Sequence, residues 1–155
     1  ISFLKKIFKK YENIICTGSS MGGYASILFG SILKTNYIIV GNAQTDLEYV
    51  IKNTNSRNNG KRKISQLEKR KKECPNTWDK YANLAPHLNE TSIYKVYYSG
   101  SKSYLGNKAM GGRNGWIMHS THHLENISHC KLLEKFESDV NYSNFIEKIT
   151  ECLLV

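Results

Sequence analysis

A serine flanked by glycines lies where an apolar run gives way to a helical pattern. Residues 18–23 read Gly-Ser-Ser-Met-Gly-Gly, which makes Ser20 the central residue of a G-x-S-x-G motif. The apolar run 13–17 precedes it, and from Met21 to Leu33 apolar residues recur every three or four positions. A buried strand, a sharp turn and a helix are the setting in which this motif exposes a nucleophilic serine. The sequence therefore predicts that Ser20 is a nucleophile.

The residue types around Ser20 fit that chemistry. A serine hydroxyl is a weak nucleophile, so it must be held exposed, close to a base and to backbone donors. Side chains at Gly18 and Gly22 are expected to collide across so tight a turn. The N–H of Met21, at the start of the helix, is expected to point at a developing oxyanion. The alternative is a glycine-rich helix start that only caps the helix or binds phosphate.

A group of histidines further along the chain could hold a metal or supply a base. His119, His122 and His123 have the i, i+3, i+4 spacing that brings side chains to one face of a helix. No glutamate stands between them, so the segment is not the H-E-x-x-H of zinc proteases. A polar surface or a catalytic base is favoured over a metal site, and no metal is predicted.

The rest of the chain supplies the elements that must position these residues. Short apolar runs predict strands, and apolar residues at helical spacing predict helices. The strands are expected at 13–17, 37–40, 93–99 and 130–136, and the helices at 1–11, 21–33, 46–52, 77–88 (broken near Pro86) and 145–153. Their alternation predicts an α/β fold with a mostly parallel sheet and flanking helices.

Length and composition fit one domain that spans 1–155. The chain has 155 residues, of which 40% are hydrophobic and 2 are proline, and this excludes collagen-like and wholly disordered classes. No apolar run approaches the ~20 residues that span a bilayer. The 4 cysteines show no zinc-site spacing and suit a reducing compartment. A cytoplasmic location is therefore predicted.

The net charge of +9 is concentrated locally. A basic insertion lies at about 53–73, and its first part, 53–63, has no apolar side chain larger than a threonine methyl. We therefore expect an exposed loop or a partly ordered insertion. A solvated surface is the favoured interpretation. The alternative is a patch that meets an anionic partner: nucleic acid, a membrane or an acidic glycan.

Residues 15–47 resemble the nucleophile-elbow half of the α/β-hydrolase superfamily. The run Gly-Ser-Ser-Met-Gly-Gly-Tyr-Ala is especially similar to esterase-like members found with bacterial surface-polysaccharide systems. The stretch 81–99 resembles the helix and the next strand of the same fold. The resemblance implies a Ser–acid–His triad in that chain order, which acts on an ester, amide or thioester and needs no cofactor. Because the pattern begins almost at the elbow, we expect only the C-terminal part of the fold, without the loop that gives a second oxyanion donor.

The resemblance also guides the search for the base and the acid. It places the histidine after the last strand, where the sequence has none, so the upstream His119 is the expected base, with His122 and His123 as alternatives. Asp46 is the expected orienting acid, and Asp139 is the alternative. A helix N-cap is the competing interpretation of Asp46.

These observations lead to one expected function and two alternatives. The first is a serine hydrolase that cleaves an acyl ester, as the resemblance implies on a small molecule or a glycan, through an acyl-serine intermediate. The second is a non-catalytic module of the same fold that serves polysaccharide or protein export or assembly. The third, and weakest, is nucleic-acid or other anionic-polymer binding through the basic insertion.

Overall fold

A computed structural model of the chain describes residues 1–41, 43–53, 59–99, 132–136, 146–147 and 149–150. The helices are α1 (Ser2–Phe8), α2 (Met21–Leu33), α3 (Leu47–Asn53), α4 (Asn59–Glu73) and α5 (Pro75–Tyr81), followed by a 3-10 turn at Ala85–His87. The strands are β1 (Ile15–Ser19), β2 (Tyr37–Gly41), β3 (Ile93–Ser99) and β4 (Leu132–Phe136). Within the described ranges, no helix has both the length and the apolar character needed to cross a bilayer.

The strands form one parallel sheet in the order in which they occur along the chain, β1-β2-β3-β4. Ser19 pairs with Gly41, so β1 and β2 end side by side at the carboxyl edge of the sheet. Parallel strands need long crossovers. Helix α2 supplies the one from β1 to β2, and α3 to α5 supply the one from β2 to β3. The predicted α/β class with a parallel sheet is confirmed for these residues.

The main core lies between α2 and one face of the sheet. Alternate residues of a strand point to the same face, and Ile38 and Val40 of β2 face α2 together with Val96 of β3. Ile27 and Leu28 of α2 pack against them. Each fully buried side chain of this size contributes about 1.5–3 kcal/mol. This packing fixes the angle at which α2 leaves the edge of the sheet.

The opposite face of the sheet is buried as well. Ile39 and Tyr97 have exposed fractions of 0% and 1%, and Ile15, Tyr37 and Ile149 pack against them. Strands buried on both faces are typical of parallel sheets. This explains why the strand 37–40 could be predicted from a continuous apolar run.

The basic insertion contains a helix, so the expectation of an exposed loop is wrong for 59–63. From Asn59 to Glu73 the chain is helical, while 54–58 lie outside the described residues. Leu67 packs against both Val50 and the cluster around Trp78, so an apolar contact anchors the helix to α3 and α5. This contact could not be predicted from the sequence, because the segment consists mostly of charged and polar residues.

The fourth predicted helix is also corrected. The segment 77–88 divides into α5, which begins earlier at Pro75, and a separate 3-10 turn at Ala85–His87. Proline suits the first turn of a helix because its missing N–H needs no partner there. Asn83 interrupts the helix by forming a bridge with Asp46, well before Pro86. Of the predicted helix at 145–153, residues 146–147 and 149–150 are helical, and the others lie outside the described residues.

Candidate active site

Ser20 occupies the turn between β1 and α2 in an uncommon backbone conformation. Its φ is 55° and its ψ is −119°, which lies outside the β, right-handed and left-handed helical regions. Among the described residues, the only other non-glycine residue with positive φ is Lys34, which ends α2 in the left-handed helical region. Such a conformation costs about 1–3 kcal/mol and persists only where its surroundings impose it.

Backbone hydrogen bonds on both sides impose this conformation. The Ser20 N–H donates to the carbonyl oxygen of Gly41 at 3.0 Å, which ties the turn to the end of β2. The Tyr24 N–H donates to the Ser20 carbonyl oxygen at 3.1 Å, which begins α2. Ser20 is thus fixed to the sheet and to the helix at the same time, and its side chain is half-buried.

Glycine is required at two positions around the turn. A Cβ on Gly18 would lie 2.5 Å from the carbonyl carbon of Gly22 and 2.9 Å from the Ser26 Oγ. A Cβ on Gly23 would lie 2.8 Å from the Cβ of Ala43. All three distances are shorter than real Cβ contacts, so the close approach of strand, helix and following loop depends on these glycines.

The expectation that a side chain at Gly22 would collide is wrong. A Cβ built on Gly22 meets nothing within 4 Å, because the residue lies on the exposed side of the helix start. Gly22 contributes the backbone that a side chain on Gly18 would strike. The sequence motif could not distinguish these two roles, and it gave no weight to Gly23.

The Ser20 hydroxyl does not cap the helix. Ser20 stands at the N-cap position of α2, yet its side chain makes no capping hydrogen bond in the structure described. A serine that served only to begin a helix would accept a hydrogen bond at its Oγ from a backbone N–H of the first turn. The hydroxyl is therefore left for another role. The Met21 N–H belongs to the first turn, whose donors have no partner within the helix.

Gln44 lies beside the hydroxyl. Its Nε2 is 3.5 Å from the Ser20 Oγ, and the side chain is only 2% exposed. No local sequence motif marks this residue. Its position could have indicated it, because Gln44 is a polar residue just past the buried strand β2. The carboxyl ends of β2 and β1 lie at the same edge of the sheet, which is where sites of parallel sheets occur.

Asp46 caps helix α3. Its Oδ1 accepts a hydrogen bond from the Tyr49 N–H at 2.9 Å, and the residue also bridges to Asn83. The N-cap interpretation is thus confirmed. Its assignment as the orienting acid stays a prediction.

The predicted bases lie outside the described residues. This holds for His119, His122 and His123, and also for Asp139, the alternative acid. Within the described part, His87 is half-buried, and its Nε2 lies 2.6 Å from the Lys80 carbonyl oxygen. No group of three or more metal-ligating side chains occurs among the described residues.

Two other reactive groups near the turn are poor nucleophiles. Burial raises the pKa of the Cys16 thiol in β1, which keeps it protonated and unreactive. Burial, and to a lesser extent the nearby Tyr81, raises the pKa of Tyr24. Its hydroxyl donates to the Tyr81 carbonyl oxygen at 2.7 Å and so joins α2 to the end of α5. Among these groups the geometry singles out the Ser20 hydroxyl.

Comparisons of the chain with family models, curated proteins and solved structures found no match. The arrangement of the site is therefore the basis for a function. It consists of a serine held in a strained strand–helix turn, a helix N-terminus beside it, and a buried amide against its oxygen.

Proposed function

We propose that the protein is a serine hydrolase that cleaves an acyl ester through an acyl-serine intermediate. The observation that carries this proposal is the backbone of Ser20, at φ 55° and ψ −119° between β1 and α2. Strain of this kind concentrates at functional sites, and a G-x-S-x-G serine on a sharp strand-to-helix turn is the arrangement of a nucleophile elbow.

The absence of a structural use for the Ser20 side chain supports the proposal. Its hydroxyl makes no capping bond, although the residue sits at the N-cap position of α2. The neighbouring Ser26 contrasts with it, because its Oγ donates to the Thr17 carbonyl oxygen at 2.8 Å and has a structural partner. Because the Ser20 backbone is strained and its hydroxyl does not cap the helix, a catalytic role for Ser20 is favoured over a structural one.

The reaction proceeds in two steps. In the first, a histidine, His119 in our assignment, takes the proton of the Ser20 hydroxyl while Oγ attacks the ester carbonyl carbon. The Met21 N–H, reinforced by the dipole of α2, stabilises the negative oxygen of the tetrahedral intermediate. The histidine returns the proton to the leaving alcohol, and the acyl group remains on Oγ. In the second step water attacks the acyl-serine, which releases the carboxylic acid and restores the hydroxyl.

A fluorophosphonate probe tests the proposal. The probe phosphonylates an activated serine, so wild type should be labelled and Ser20→Ala should not. Ser19→Ala is the matched control, because Ser19 is the adjacent serine, is exposed and lies in β1 rather than in the turn. Labelling should persist in this control, and peptide mapping should place the adduct on Ser20. An unlabelled wild type that is folded would overturn the proposal and favour a non-catalytic module.

A further inference from the structure

The segment that follows β2 is held on two sides. Ala43 lies against the first turn of α2, where a Cβ on Gly23 would come within 2.8 Å of its own Cβ. On the other side, the Leu84 N–H donates to the Thr45 carbonyl oxygen at 2.9 Å. Gln44 stands between these two anchors and has little freedom to shift. A site on so constrained a segment keeps its geometry before any substrate arrives.

Gln44 carries its carboxamide to the nucleophile. The side chain is 2% exposed, and its Nε2 lies 3.5 Å from the Ser20 Oγ. This distance is at the long end for a hydrogen bond. Catalytic hydrogen bonds in unliganded enzymes are often long and shorten when the reacting complex forms. The contact is therefore of the kind expected in a resting active site.

The chemistry of an amide fixes the direction of this bond. An amide nitrogen only donates, whereas a serine oxygen both accepts and donates. In a bond between Gln44 Nε2 and Ser20 Oγ, the serine oxygen must accept. The hydroxyl hydrogen is then free and must point away from Gln44. We propose that Gln44 is a positioning residue that turns the Ser20 proton toward the base, an inference that rests on the proposed hydrolase function.

The same bond favours the reaction as well as the orientation. As the base removes the proton, partial negative charge develops on Oγ before the attack passes it to the carbonyl oxygen, and hydrogen bonds to charged oxygen are stronger than those to neutral oxygen. The Gln44 N–H therefore stabilises the transition state more than the ground state, which is the condition for acceleration. Loss of a hydrogen bond to a charged group corresponds to a rate reduction of about 10- to 100-fold.

Two substitutions of Gln44 test the inference in the full chain. The measured quantity is the second-order rate constant for fluorophosphonate labelling of Ser20. Gln44→Leu has similar volume but no donor, so its rate should fall by about 10- to 100-fold. Gln44→Glu has no donor while ionised and sets negative charge beside the growing negative charge, so its rate at neutral pH should fall further. Once protonated, the new carboxyl gains an O–H donor. The ratio of its rate to that of wild type should then rise as the pH falls.

Controls separate positioning from folding. Tyr94→Phe removes a buried hydrogen bond elsewhere in the core and should keep the wild-type labelling rate once folded. A wild-type rate in Gln44→Leu, or a Gln44→Glu ratio that does not change with pH, would overturn the positioning role. If Gln44→Leu does not fold, the pH dependence of Gln44→Glu decides alone. An unlabelled wild type would overturn the proposed function and this role together, whereas a labelled wild type with unaffected Gln44 variants would remove only the role of Gln44.

Discussion

A Cβ on Gly18 would lie 2.5 Å from the carbonyl carbon and oxygen of Gly22, whereas a Cβ on Gly22 meets nothing within 4 Å. The end of β1 and the first turn of α2 therefore pack backbone against backbone across the Ser20 turn. Gly18 permits this close approach because it has no side chain, and Gly22 contributes the backbone atoms that a side chain on Gly18 would strike. The G-x-S-x-G motif treats these two residues alike, but the structure separates them.

This asymmetry predicts opposite effects of two alanine substitutions. Gly18→Ala should destabilise the fold by about 1–3 kcal/mol, because backbone must move to admit the methyl group. Gly22→Ala should leave stability unchanged or raise it by up to about 1 kcal/mol, because alanine favours a helix and has open space there. Urea denaturation of both variants measures the difference. Equal destabilisation by the two substitutions would contradict the packing described.

The backbone strain at Ser20 predicts that relieving it will stabilise the fold, although the change that relieves it also removes the nucleophile. Ser20→Gly should raise the free energy of unfolding by about 1 kcal/mol, because glycine adopts positive φ without penalty, and it should abolish labelling. Ser20→Ala should abolish labelling without this gain, since alanine retains a Cβ. Thermal denaturation monitored by circular dichroism compares the pair. If Ser20→Gly is no more stable than Ser20→Ala, the backbone at this residue is not strained.

Lys34 provides the matched control for that comparison. It has φ 55° and ψ 49° at the end of α2, and its N–H bonds back to the last turn. Lys34→Gly should therefore stabilise the fold by about 0.5–1 kcal/mol, as glycine does at helix ends in this conformation. Labelling of Ser20 should not change, because Lys34 lies at the opposite end of the helix.

The Tyr94 hydroxyl ties α2 to the loop before β3. The Ser31 hydroxyl donates to the Ile27 carbonyl oxygen at 2.6 Å, so Tyr94 must donate to Ser31 Oγ, 2.9 Å away. The Asn89 N–H in turn donates to the Tyr94 hydroxyl at 2.9 Å. Tyr94→Phe removes one hydrogen-bond partner from the buried Ser31 and one from the half-buried Asn89, and it should cost about 1–3 kcal/mol in urea denaturation. A cost near zero would show that they find other partners.

Glu48 holds the basic helix α4 against α3 and α5. Its Oε1 lies 2.6 Å from the Lys71 Nζ and accepts from the Trp78 Nε1 at 2.6 Å. The hydrogen bond from Lys71, followed by that from Trp78, lowers the pKa of this carboxyl. A lowered folded-state pKa adds stability that is present above the unfolded value of about 4.3 and is lost as the pH falls through the folded value.

Glu48→Gln should therefore be less stable than wild type at about pH 7 and should match it at about pH 3. The difference should be about 1 kcal/mol or less, because the carboxylate and Lys71 are both partly exposed, and added salt should reduce it. Urea denaturation across this pH range provides the measurement. A difference that persists at low pH would show that packing, rather than charge, is what the substitution removes.

The elements that buried apolar residues define could be predicted from sequence. Helix 21–33 and strand 93–99 have the predicted bounds, because their core-facing residues repeat with one period. Helix α4 could not be predicted, since its anchoring contacts, Leu67 and the Lys71–Glu48 pair, depend on neighbours distant in sequence. Helix boundaries that depend on tertiary contacts could not be predicted for the same reason.

Within the candidate site, local sequence revealed the nucleophile but not its neighbour. Ser20 belongs to a motif whose residues are adjacent along the chain. Gln44 reaches Ser20 from the end of another strand, 24 residues away, and only the pairing of β1 with β2 brings the two together. Asp46, two residues further on, stays the predicted acid of the triad, and its Oδ1 accepts a hydrogen bond from the backbone of α3.

The most direct measurement of the central claim is the intact mass of the protein after brief incubation with an activated ester such as p-nitrophenyl acetate and quenching in acid. Wild type should carry one added acetyl group, and peptide mapping should place it on Ser20. The Ser20→Ala variant should carry none, and the Ser19→Ala variant should behave as wild type. Folded wild type without an acetyl group on Ser20, or release of p-nitrophenol by Ser20→Ala at the wild-type rate, would contradict the role of Ser20 as the nucleophile.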